Sequence, residues 1–179
     1  NEWLLDGILE GNQNAQNVVI MLHEGGYNRD ENGLFPVIEG SAIKKENNKI
    51  IFQTKSYGNY EILTNSLIKN DEFATFRYDL RNHGKSLVND KMDKRDTLYM
   101  RLAKDLRDVI KYLKKKYSFK KIYFIGTGIG ALVIEYYLTK INDIPLNDIK
   151  QIHLICPNSP KIIYNLNPKY QFSYQKQEY

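Results

Sequence analysis

Four short apolar runs, each stopped by a turn residue and separated by stretches of helical period, limit what this chain can fold into. Val18-Val19-Ile20-Met21-Leu22 ends at His23-Glu24-Gly25-Gly26, and Phe73-Ala74-Thr75-Phe76-Arg77-Tyr78 ends at Asp79. Lys121-Ile122-Tyr123-Phe124-Ile125 ends at Gly126, and Ile152-His153-Leu154-Ile155-Cys156 ends at Pro157. Unbroken runs of this length, rich in β-branched and aromatic residues, read as strands buried on both faces. Between them Leu98, Leu102, Leu106, Val109, Leu113 and Tyr117 step by three or four, the stripe of a long amphipathic helix. A helix over 131–140 offers Leu132, Ile134, Tyr137 and Leu138 for burial, and a weaker one over 60–69 offers Ile62, Leu63 and Leu67. Strands alternating with helices predict an α/β fold of three layers, with a mostly parallel sheet and right-handed crossovers.

Two segments stand outside this alternation. Residues 35–54 predict a hairpin, 35–43 and 49–54 flanking the turn-prone Glu46-Asn47-Asn48, inserted beside the strand ends. Residues 159–179 form a tail rich in Tyr, Asn, Gln and Lys with no clean period, so the expected core is 1–158. With 179 residues there is room for one domain, and no internal repeat or linker divides it. The single cysteine, Cys156, excludes an intrachain disulfide and a cysteine-built zinc site; no metal or cofactor is expected. As a thiol nucleophile Cys156 lacks a basic neighbour in sequence, and a buried inert residue is the commoner case.

Charge decides little. A net +5 raises the question of nucleic acid. Yet Lys, Asn, Ile and Tyr number 20, 18, 20 and 14 against 5 Ala, the usage of A/T-rich codons, and most cations stand beside acids. The dense run Lys111, Lys114, Lys115, Lys116, Lys120 and Lys121 falls at the end of the long helix, where cations favour the helix dipole and solvation. No nucleic-acid partner is expected. No apolar run approaches the roughly 18–20 residues that span a bilayer. The start at Asn1, with Trp3, Leu4, Leu5 and Asp6, is neither a signal peptide nor a basic targeting arm. It reads as a processed or excised piece, and a cytoplasmic location is expected.

In a parallel sheet, function collects where strands end and helices begin. Three such ends resemble one family, the α/β-hydrolases. His23-Glu24-Gly25-Gly26 resembles their His-Gly oxyanion loop. Asp79-Leu80-Arg81-Asn82-His83-Gly84-Lys85-Ser86 resembles their Asp-x-Arg-Gly-x-Gly-x-Ser segment, with Asn82 in place of a glycine. Gly126-Thr127-Gly128-Ile129-Gly130 is similar to the nucleophile elbow Gly-x-Ser-x-Gly. The likeness covers about residues 3–158 and points to the lysophospholipase or serine peptidase-like branch.

The resemblance implies an oxyanion pocket whose donors are the backbone N–H groups of Gly25 and Ile129, beside His23, Glu24 and Gly26. It implies a loop organised by Asp79, Arg81, His83 and Ser86. The central elbow position is Gly128, which has no side chain to attack with. Thr127 is one residue early and would point elsewhere in that geometry. The family places an acid and then a histidine after the elbow, on later strands. Beyond Cys156 there is no His and no Asp, and the only acid is Glu178. His153 sits within a strand and reads as a core histidine rather than a base. Glu24 stands where the family has glycine, and a carboxylate there would repel a developing anion.

Several functions stay open. One is a non-catalytic hydrolase-like module that binds a small anionic or acyl ligand, or a protein partner. Another is the N-terminal portion, or a Ser→Gly variant, of an active ester or peptide hydrolase. A third is a dinucleotide-binding module using Gly126-x-Gly128-x-x-Ala131, although its next strand ends without the acid that would hold a ribose. For the pocket glycines, ligand binding and simple tight turning stand level. A sheet lacking the family's last strands would leave an edge open to pairing with another chain or with residues 162–179.

Overall fold

The computed structural model describes residues 5–25, 29, 37–46, 49–57, 59–86, 97–155 and 172–173, with the backbone alone in 37–57 and 172–173. In chain order the elements are β1 (Gly7–Gly11), β2 (Asn17–Leu22), β3 (Val37–Glu46), β4 (Lys49–Tyr57) and α1 (Asn59–Leu67). Then follow β5 (Phe73–Tyr78), α2 (Leu98–Lys116), β6 (Lys121–Thr127), α3 (Ile129–Tyr136), β7 (Ile149–Ile155) and β8 (Phe172–Ser173).

Six strands form one sheet in the order β1-β5-β2-β6-β7-β8. Only β1 runs antiparallel to its neighbour; β5, β2, β6, β7 and β8 are mutually parallel. The α1 connection leads from β2 to β5 in one direction across the sheet, while α2 and α3 lead the other way. Right-handed crossovers therefore send α1 to one face and the other two helices to the opposite face. The core divides accordingly. Val18, Ile20 and Leu22 pack with the buried stripe of α2 (Leu102, Leu106, Ile110, Leu113), whereas Val19 and Met21 pack with Tyr60 of α1. One strand feeding both clusters is why its sequence reads as an unbroken apolar run.

The Thr97 hydroxyl caps α2 by accepting from the Met100 N–H at 3.3 Å, and lysines 114–116 fill the last turn. Part of the dense lysine run is tied down rather than merely solvated. Lys111 pairs with Asp143 at 2.7 Å and Lys114 with Asp148 at 2.5 Å, while Lys121 donates to the Asn147 carbonyl at 2.9 Å.

Some elements differ from the sequence expectation. β1, Gly-Ile-Leu-Glu-Gly, was not anticipated, because two apolar residues between glycines carry no period. It is held by pairing with β5 and by an ion pair from Glu10 to Arg77 at 2.8 Å. α3 starts at Ile129, two residues before the expected start, and continues after Tyr136 as a π-helical turn over Tyr137–Ile141 that ends on left-handed Asn142. The hairpin forms from longer strands than expected, with Glu46 paired to Lys49 and a bulge between Glu39 and Ser41. From the tail, Phe172 and Ser173 lie parallel along β7 beside Ile152 and His153. Gly26, Cys156 and the rest of the tail lie outside the described residues.

Candidate functional site

The carboxyl ends of β2, β5 and β6 are level, since Met21 is in register with Arg77 and with Ile125, and Leu22 with Gly126. The segments leaving these ends therefore meet at one edge: His23 to Gly25, Asp79 to Ser86, and Thr127 to α3.

The turn from β6 into α3 is made by Gly128, at φ 45° and ψ −109°. Its N–H donates to the Ile155 carbonyl of β7 at 3.0 Å, which pins the turn to the next strand. Gly130 brings the first turn of α3 directly onto the end of β2. A Cβ there would stand 2.1 Å from the Leu22 carbonyl oxygen, so this approach needs glycine. On the other side of the turn the buried Tyr60 hydroxyl donates to the same Leu22 carbonyl at 2.8 Å and lies 3.3 Å from Thr127 Oγ1.

Glu24 occupies the middle of this arrangement. One carboxylate oxygen, Oε1, accepts from the Gly25 N–H at 2.6 Å and from the Ile129 N–H at 3.1 Å. The two N–H groups that resemblance names as oxyanion donors thus converge on a single oxygen, and it belongs to this chain. An anion is well placed there, since two backbone N–H groups and the positive end of the helix dipole face it. Glu24 was expected only to repel an incoming anion; it is itself the anion in the cradle.

The histidines act as braces. His23 is fully buried; its Nδ1–H donates to the Glu24 carbonyl at 2.7 Å, and its Nε2 accepts from the Leu80 N–H at 2.9 Å. That pattern assigns the neutral tautomer with the proton on Nδ1. Burial holds the imidazole below the ordinary histidine range against the raising effect of the Glu24 carbonyl, and nearby His83 pushes it down further. The His83 ring meets His23 edge-on at 5.2 Å, and its Nδ1–H donates to the Arg81 carbonyl at 2.9 Å. His153 is half-buried on β7 and lines a cavity of about 470 Å³ on the α1 face, walled by Val19, Leu63, Phe73 and Ile125. It is not the fully enclosed core residue its strand position implied.

The Asp79–Ser86 segment is a bonded loop. Buried Asp79 accepts from the Arg29 and Lys85 N–H groups, each at 2.7 Å, and the Arg29 guanidinium pairs with Asp6. Ser86 Oγ donates to the Asp79 carbonyl at 2.6 Å and accepts from the Asp6 N–H at 2.9 Å. Arg81 makes a two-pronged ion pair with Asp105 of α2, at 2.6 and 2.7 Å. Asn82 takes the left-handed conformation (φ 62°) that suits the family's glycine, and Asn tolerates it better than most residues.

Two carboxylates escaped the sequence reading. Asp105 shares the apolar face of α2 with Leu102, Leu106 and Val109. Glu135 interrupts the run Ala131-Leu132-Val133-Ile134 on α3. A lone acid on an apolar helical face was the available signal in both cases. Glu135 is 1% exposed, neither carboxylate oxygen has a partner among the described residues, and burial pushes its pKa up to about 7. Among the described residues no group of three His, Cys, Asp or Glu is placed to hold a metal ion, and no helix is long and apolar enough to cross a membrane.

Residues 9–155 match the model of a family described as an alpha/beta hydrolase of unknown function (DUF915). Solved structures share the fold. Est1E from Butyrivibrio proteoclasticus, with ferulic acid bound, is 19% identical with a TM-score of 0.57, over 86% of this chain and 49% of its own. An esterase from Exiguobacterium antarcticum is 18% identical with a TM-score of 0.55, over 84% and 40%. A hydrolase from Pseudomonas aeruginosa is 16% identical with a TM-score of 0.55, over 84% and 41%. The chain thus spans less than half the length of these structures. No curated protein matches it by sequence.

Proposed function

This chain belongs to the α/β-hydrolase family, and we propose that it is a non-catalytic member whose strand-end pocket takes an acyl ligand or a protein partner rather than an anion, because the anion cradle is filled by Glu24. One observation carries the reading: at the elbow, residue 128 has no side chain, and the two N–H groups beside it are bonded to the Glu24 carboxylate. Acyl transfer on this fold needs a nucleophile, a base in reach of it, and donors left open for the oxyanion that develops. Here the first is missing and the last are engaged. His23 does not supply the base, since both its ring nitrogens are used in structural bonds. The expected result is no turnover of short-chain nitrophenyl esters and no labelling by a fluorophosphonate probe. Covalent labelling of the chain by the probe would overturn the proposal.

A second reading is favoured by length. Because the chain spans 40% to 49% of the three solved structures described above, a longer protein would have room for a catalytic acid and histidine on later strands. Residues 1–179 would then be the N-terminal portion of a serine ester or peptide hydrolase in which Gly128 replaces the serine. The same two assays, run on the longest open reading frame with and without Gly128→Ser, separate the readings. Activity that appears only with serine favours the second.

A further inference from the structure

We infer that Glu24 and Gly128 form one device: the Glu24 carboxylate fills the space in which a side chain at position 128 would project, so that the elbow is occluded by its own chain. The geometry is specific. A Cβ built on Gly128 would stand 1.1 Å from Glu24 Oε2, 1.9 Å from Cδ and 2.5 Å from Oε1, and these are its three nearest atoms. No backbone atom is among them, so the first obstacle to a side chain at 128 is the end of the Glu24 side chain. That end is held in place by the Gly25 and Ile129 N–H groups. Hydrogen bonds to a carboxylate are stronger than neutral ones, and a negative group at the start of α3 gains from the helix dipole.

It follows that the two departures from the family motif depend on each other. With Glu24 seated, even alanine at 128 forces the carboxylate out of its cradle. Without Glu24, the three nearest obstacles to a Cβ are gone, and the positive φ remains as strain. The inference goes beyond the non-catalytic reading and does not depend on it, since it concerns occupancy of the elbow rather than turnover.

Two measurements test it. In thermal melts, Gly128→Ala should lower Tm sharply in the parent chain and much less in a Glu24→Gly background. In a Cys156→Ser background, Gly128→Cys should be alkylated by iodoacetamide faster once Glu24→Gly is added. About tenfold is expected, because the carboxylate that the new side chain displaces stays beside the thiol and disfavours the reactive thiolate by about one pKa unit. If Gly128→Ala alone fails to fold and the double variant folds, the coupling is supported. Equal Tm losses in the two backgrounds, equal alkylation rates, or a double variant that folds no better than the single would overturn it. Ester turnover by the parent chain would overturn the preceding proposal and leave this one standing.

Discussion

Replacing Glu135 tests whether a buried, unpartnered carboxylate sets the pH dependence of this fold. Burial raises its pKa from 4.5 to about 7. Below the unfolded value the group is protonated in both states and contributes no difference. As pH rises from 4.5 towards 7 the unfolded chain ionises first, the folded chain keeps its proton, and stability falls. Above 7 the loss is complete, at roughly 3 kcal/mol, a large part of the 5–15 kcal/mol typical of a domain. Glu135→Gln keeps the shape and removes the charge, so any penalty from burying an amide is the same at every pH. Urea denaturation of both proteins between about pH 5 and pH 8 gives the difference directly. The glutamine variant should gain on the parent steadily up to about pH 7 and then hold its lead. His23 and the other titrating groups are common to both proteins and cancel. A constant difference across the range would refute the reasoning, because it would mean that Glu135 ionises in the fold as easily as in the unfolded chain.

Arg81→Met should destabilise by about 3–5 kcal/mol, because it strands the buried Asp105 carboxylate; adding Asp105→Leu should recover most of the loss in thermal melts. His23 should titrate below the ordinary histidine value by NMR, with the proton on Nδ1. Because its folded pKa is depressed, it removes stability as pH falls through the unfolded value of 6.5, a loss that His23→Gln should flatten. At Asn82, φ 62° predicts that Asn82→Gly is close to neutral while Asn82→Ala costs about 1–2 kcal/mol, measured by urea denaturation.

The inner strands could be read because each is buried on both sides, which leaves an apolar run with nothing to confuse it. α2 could be read from a six-member stripe. β1 could not, since its order comes from pairing with β5 and from Glu10 meeting Arg77 across the sheet. The loop motifs located the site edge, yet the partners were hidden. Arg81 finds Asp105, 24 residues on, and Asp79 finds the Arg29 N–H, 50 residues back. The role of Glu24 was beyond any local pattern. It bonds the N–H of Ile129 across 105 residues, and those groups meet only after β2 and β6 have paired.

The place of β2 in the sheet has a kinetic consequence. This central strand takes one neighbour from residues 73–78 and the other from residues 121–127. During synthesis it leaves the ribosome with both edges unpaired, and its second partner arrives only after about 100 more residues, several seconds later at ordinary translation rates. Closing such distant pairs is slow, and until it happens Val18 to Leu22 is an apolar strand open to any other extended segment. Refolding should therefore be concentration-sensitive, with aggregation competing until β6 docks against β2.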